Sequence, residues 1–123
     1  MTCLPLHNAR LLPVDVNQIL LLGGWLFGSA ANPQRDYRVD LPRDFDICIE
    51  PPEAAAVRAA LVTWAPVRHT RFGGTTYASA HGPHTIDIWF STMGETFRAI
   101  SAADVTMYAA NLRYNRLLTF SLN

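Results

Sequence analysis

The stretch Asp44-Phe45-Asp46-Ile47-Cys48-Ile49-Glu50 (DFDICIE) alternates polar and apolar residues and reads as a strand. Side chains alternate across a strand, so Asp44 and Asp46 point to one face while Phe45, Ile47 and Ile49 point to the other. Thr85–Phe90 (TIDIWF) repeats the pattern. Ile86, Ile88 and Phe90 make its apolar face, and Asp87 points the opposite way between Thr85 and Trp89. If the two strands are neighbours, three carboxylates converge on one side of a sheet. Asp is disfavoured in strands, so three of them in matching phase call for a chemical explanation rather than a solvent-face one.

Like charges ~4 Å apart repel by roughly 4 kcal/mol at an effective dielectric near 20, which makes such a cluster unfavourable without a cation. Carboxylate oxygens suit a hard divalent ion, and Mg²⁺ commonly takes one or two carboxylates together with substrate phosphates. A pair of such ions about 3.5–4 Å apart can activate a hydroxyl and stabilise a leaving pyrophosphate. A phosphatase of the haloacid dehalogenase type needs its apolar strand before the D-x-D. Here Leu41-Pro42-Arg43 precedes and the strand follows, which argues against that chemistry.

Upstream lies Leu20–Ala30 (LLLGGWLFGSA), an apolar run with breaks at Gly23-Gly24 and Gly28-Ser29. Gln18–Gly23 is expected to be a buried strand, and Trp25–Ala31 a short helix or a continued strand. Residues 1–17, with Pro5 and Pro13, read as a loosely structured lead-in to a single domain over 18–123. Asn32–Arg43 is a charged surface loop. Pro51-Pro52 ends the D-x-D strand, and Ala-rich Glu53–Trp64 is expected to be helical. Val67–Ser79 suggests two short strands around Gly73-Gly74. Ser101-Ala102-Ala103-Asp104 has capping-box spacing and is expected to open a last helix over Ala102–Leu112. The sum is an α+β domain, α/β-like in places, with a small mixed sheet and helices.

Composition narrows the function. The 123 residues are 50% hydrophobic and 16% charged, with zero formal net charge, so no bulk electrostatic grip on nucleic acid is indicated. All ten basic residues are Arg, which rules out a Lys nucleophile or Schiff base. Cys3 and Cys48 are isolated and suggest a reducing compartment. The apolar run is too short for a transmembrane helix, which needs roughly 20 residues, and Asp15, Asn17 and Gln18 interrupt a signal-peptide reading built on Arg10. The expectation is a cytoplasmic protein with no membrane contact. His81 and His84 have a metal-like spacing but sit in a Gly-Pro turn with no Cys nearby, so zinc is not expected. Trp25, Trp64 and Trp89 read as core, with Trp89 on the Asp87 face and in reach of a base.

Together, the apolar run with Gly23-Gly24 or Gly28-Ser29, the h-D-x-D-h of Asp44 and Asp46, and a later-strand Asp87 resemble the nucleotidyltransferase superfamily of DNA polymerase beta. Thr70–Thr76 (TRFGGTT) followed by Ile86-Asp87-Ile88-Trp89 is similar to the head domain of bacterial poly(A) polymerases and CCA-adding enzymes, as is the terminal Phe120-Ser121-Leu122-Asn123. The likeness covers residues ~18–123. It departs in the long Asn32–Arg43 insertion, and in Leu117-Leu118-Thr119 where the family has Arg-Arg-Asp. The chain also stops inside the terminal motif, so the expectation is either a minimal protein or the front part of a longer one.

The resemblance implies an Mg²⁺- or Mn²⁺-dependent enzyme with a two-ion site. It would move a nucleoside monophosphate from an NTP, ATP among them, to a hydroxyl and release pyrophosphate. Asp44 and Asp46 would bind the metals that hold the triphosphate, and Asp87 would share a metal and help deprotonate the acceptor. Gly28-Ser29, favoured on spacing, or Gly23-Gly24 would admit phosphates to backbone N–H groups at a helix start. Arg71, and also Arg113 and Arg116, are candidates for triphosphate contact. RNA 3′ ends are the first expected acceptor. A protein or small-molecule acceptor, as in toxin–antitoxin or resistance systems, and a non-catalytic nucleotide- or partner-binding module are the rivals.

Overall fold

The structure is a computed structural model that describes residues 3–70, 72–100 and 106–121. One mixed sheet organises them. Its strands are β1 (Trp25–Phe27), β2 (Asp44–Ile49), β3 (Pro66–His69), β4 (Thr75–Ala78), β5 (Thr85–Phe90), β6 (Thr106–Asn111) and β7 (Arg116–Ser121), in the order β3-β4-β5-β2-β1-β6-β7. Every neighbouring pair is antiparallel except β2 and β5, which run parallel in the register Asp44↔Thr85, Asp46↔Asp87, Cys48↔Trp89. The helices are α1 (Leu6–Leu11), α2 (Val14–Leu22), α3 (Pro51–Ala60) and α4 (Met93–Ile100). This is an α+β domain, as the sequence predicts.

The two faces of the sheet are buried unequally. Phe45, Ile47, Ile49, Ile86 and Ile88 pack with Leu26 and Ala110 into the main core, where Val16, Ile19 and Leu20 of α2 and Val57 of α3 meet them. On the reverse face α4 covers only a patch. Phe97 meets Phe27 at 5.3 Å between ring centroids, and Trp89 meets Phe27 at 5.4 Å, with Cys48 and Ala109 in the same cluster. The row of residues next to that patch is left half-open, and it holds the acidic residues.

Three expectations are corrected. Gln18–Gly23 is no strand: Gln18–Leu22 belong to α2, and Gly23 caps it. Asp15, Val16, Ile19 and Leu20 are its buried residues, a one-sided helical spacing, while Leu21 is 56% exposed. The boundary expected at residue 18 therefore falls inside α2, and the chain before it is no loose lead-in, since Leu4 and Leu12 lie in the main core. Residues 106–111 are β6, not a helix: Ala109 packs under α4 and Ala110 into the main core, an alternation that overrides helical propensity. The capping box at residues 101–104 lies outside the described residues. The expected helix over Glu53–Trp64 is α3, begun at Pro51 and closed by a 3-10 turn over Leu61–Thr63.

The Asn32–Arg43 segment is a loop, as expected, and it is tied down from within. Buried Asn8 donates through Nδ2 to the Arg35 carbonyl at 2.9 Å and accepts from the Tyr37 amide through Oδ1 at 2.9 Å. The Tyr37 hydroxyl donates to the Ala30 carbonyl. The loop thus hangs from α1 and from the turn that follows β1, and it delivers the chain to Asp44 at the open edge of the reverse face.

Candidate active site

β2 and β5 place Asp44, Asp46 and Asp87 on the half-open face, with Asp46 and Asp87 directly opposed across the parallel ladder. Asp44 is exposed, whereas Asp46 and Asp87 are half-buried against the aromatic patch under α4. The two flanking carboxylates are each held by a threonine of the neighbouring strand. Thr85 Oγ1 donates to Asp44 Oδ1 at 2.6 Å, and Thr76 Oγ1 of β4 donates to Asp87 Oδ1.

Asp46 lies between them. Burial, its hydrogen bond with Asp87, and the charges of Asp87 and Asp44 push its carboxyl from 3.8 up to about 7. The cause is physical: two anions at the lip of an apolar cluster cannot both stay ionised unless a positive charge joins them, so the pair keeps a proton.

The turn after β1 closes the site. Gly28 opens a 3-10 turn, Gly28–Ala31, at φ +75°, and a Cβ there would lie 2.8 Å from Asp46 Oδ2. The bare backbone of Gly28 therefore runs against the central carboxylate, which only glycine permits. Ser29 is exposed beside it. Gly28 and Ser29 also line a pocket of about 170 Å³ completed by Asn32, Thr106, Met107 and Tyr108.

Gly23 and Gly24 are placed elsewhere. They precede Trp25, which pairs with Cys48, whereas Phe27 pairs with Asp46. A Cβ on Gly23 would meet the Glu53 side chain at 2.2 Å, and one on Gly24 would meet Ile49 Cδ1 at 2.5 Å. That pair serves close packing between α2, α3 and β2. Arg71 lies outside the described residues.

Arg113 and Arg116 gather with Trp25 and Tyr114 at the far end of β2. The Arg113 guanidinium sits 3.9 Å from Glu53, and that of Arg116 lies 4.8 Å from the centre of the Trp25 ring. Trp89 is buried against Phe27, and its ring fills the space a Gly74 Cβ would need at 2.4 Å, so it is a core residue with no face free for a base.

Among the described residues no group of three or more His, Cys, Asp or Glu side chains is spaced to hold a metal ion. The donor chemistry nevertheless fits a hard divalent ion. It consists only of carboxylate oxygens, and the proton retained by Asp46 marks the charge that a cation would supply.

A larger cavity of about 330 Å³ touches none of these carboxylates; Asp15, Trp64, Ser79 and His81 are among the residues lining it. There the structure shows a group the sequence did not single out. Buried Asp15 accepts from Ser79 Oγ at 2.5 Å and is bonded to His84 Nε2 at 2.9 Å. His84 is thus no loose turn residue; it pins the β4–β5 turn to α2. Asp15 as the one acid on the buried face of α2 was the available signal. No helix among the described residues is long and apolar enough to cross a membrane. No family model, no curated protein and no solved structure matches the chain.

Proposed function

We propose that the chain has the nucleotidyltransferase fold and is an enzyme that moves a nucleoside monophosphate from an NTP to a hydroxyl acceptor, with an RNA 3′ end as the first acceptor to test. The observation that carries the reading is the opposition of Asp46 and Asp87 across a parallel strand pair, with Asp44 two residues away and the Gly28 backbone against Asp46. The order of parts adds support: an apolar strand, a Gly-Ser turn, an antiparallel strand bearing D-x-D, and a third Asp on a strand parallel to it.

In this reading Asp44, Asp46 and Asp87 would hold Mg²⁺ or Mn²⁺. When bound, the ion would supply neutralisation of the triphosphate and activation of the acceptor oxygen. The Gly28-Ser29 turn lets the phosphates approach the backbone. The acceptor oxygen forms a new bond to the α-phosphorus, the bond from that phosphorus to the β-phosphate oxygen breaks, and pyrophosphate leaves. Asp87 receives the acceptor's proton and passes it to solvent. Thr76 and the aromatic patch behind the carboxylates keep one side of the site dry, which strengthens charge interactions there.

The test is transfer of label from each of the four α-³²P-labelled NTPs to RNA or to protein in the presence of Mg²⁺ or Mn²⁺. Loss of transfer in Asp44→Asn, Asp46→Asn and Asp87→Asn is the expected result. Transfer that survives all three substitutions overturns the assignment.

A further inference from the structure

Thr76 has no core-packing reason to be a threonine. It is fully buried on β4 and is the Cα partner of Asp87 across the antiparallel β4–β5 ladder. A buried strand position of that size is normally filled by valine, and a buried hydroxyl is kept only where it has a partner. The partner here is Asp87 Oδ1. Thr85 does the same for Asp44, reaching from β5 to β2 to donate to Asp44 Oδ1 at 2.6 Å. Each outer carboxylate therefore has its Oδ1 bound by a hydroxyl from the next strand in the sheet.

We propose that Thr76 and Thr85 are positioning residues: their hydroxyls fix Asp87 and Asp44 so that the remaining oxygens of both turn toward a divalent cation held with Asp46. This rests on the reading of the acidic face as a cation site. A carboxylate free to rotate must be ordered when the ion arrives, whereas one anchored by a charge-assisted hydrogen bond is ordered beforehand. Thr76 is the stronger anchor because it is buried, so water cannot replace its hydroxyl; Thr85 is half-buried and its Asp44 partner is exposed.

The experiment compares Thr76→Val, which keeps the shape, with Thr76→Ser, which keeps the hydroxyl. Mn²⁺ affinity is measured by titration calorimetry. The side-chain rotamer of Asp87 is read in the metal-free protein from NMR couplings. The expected result is a loss of Mn²⁺ affinity of about 10-fold or more in Thr76→Val, with Thr76→Ser within about threefold of wild type. Asp87 should hold one rotamer in wild type and Thr76→Ser, and average over several in Thr76→Val.

Two results overturn the proposal: wild-type affinity with an unchanged rotamer in Thr76→Val, or equal losses in both variants, which would make Thr76 a packing residue. If wild type binds no Mn²⁺, the cation-site reading fails and the proposal fails with it. A Thr76-dependent rotamer would then mark an anchor that serves the fold alone.

Discussion

Asp46 and Asp87 face each other across the only parallel strand pair in the described sheet and share a hydrogen bond, and burial together with the Asp87 and Asp44 charges pushes the Asp46 carboxyl up to about 7. A carboxyl raised from 3.8 to about 7 binds its proton more tightly in the folded chain than in the unfolded one. Stability of the metal-free protein should therefore fall as pH rises from about 4 to about 7, by at most ~4 kcal/mol from this group. Asp46→Asn removes the titrating group. Urea unfolding at pH 5 and pH 8 should show the variant gaining on wild type at pH 8. An equal difference at both values would mean that Asp46 is not the strained acid.

A divalent cation should relieve the same strain. Mg²⁺ or Mn²⁺ at 100 times its dissociation constant stabilises a one-site protein by about 2.7 kcal/mol. Thermal unfolding at pH 7.5 should show Tm rising by several degrees in wild type and staying unchanged in Asp46→Asn. Because the ion must displace the Asp46 proton, the rise should be smaller at pH 5.5 than at pH 7.5.

Gly28 and Gly73 offer a matched pair of substitutions. Both have positive φ, +75° and +90°, so alanine strains the backbone at either, by roughly 1–2 kcal/mol. A Cβ at Gly73 meets nothing within 4 Å, whereas one at Gly28 meets Asp46 Oδ2 at 2.8 Å. Gly28→Ala and Gly73→Ala should lose similar stability in urea, yet only Gly28→Ala should displace the Asp46 carboxylate and weaken Mn²⁺ binding. Equal Mn²⁺ affinity in the two variants would remove Gly28 from the site.

Asp15 works in the opposite pH direction. Burial pushes its carboxyl up, but hydrogen bonds from Ser79 and His84, the His84 charge and the Val16 amide more than offset this and lower it. The stability it contributes is present above the unfolded value of 3.8 and is lost as pH falls through the lower folded value. Asp15→Ala leaves the buried His84 ring without its hydrogen-bond partner and should cost about 1–3 kcal/mol in urea unfolding at pH 6. A cost below 1 kcal/mol would show that the β4–β5 turn does not depend on this pair.

The carboxylates were legible in the sequence because both of their strands alternate with period two, so each Asp could be assigned a face before any pairing was known. Their adjacency was not: whether β2 and β5 are neighbours depends on how α3 and the β3–β4 hairpin fold back between them. The α2 segment departs from the expected strand because a short apolar run such as Ile19–Leu22 carries no period of its own, and the helical signal lies upstream in Asp15 and Val16. β6 was misread because Ala109-Ala110 favours a helix locally, whereas the sheet needs small residues on both faces there. The choice between the two glycine pairs depended on register alone, since Phe27, not Trp25, lies opposite Asp46.

In the proposed reaction this acidic face moves the α-phosphoryl group, with its nucleoside, onto a hydroxyl. The most direct measurement is a parallel reaction with α-³²P-labelled and γ-³²P-labelled NTPs, Mn²⁺ and a mixed RNA acceptor. A nucleotidyltransferase labels the acceptor from the α position only, releases the γ label as pyrophosphate, and shows at least ~10²-fold less transfer in Asp46→Asn. Labelling from the γ position would make the protein a kinase, and no labelling or pyrophosphate release with any of the four NTPs would contradict the account.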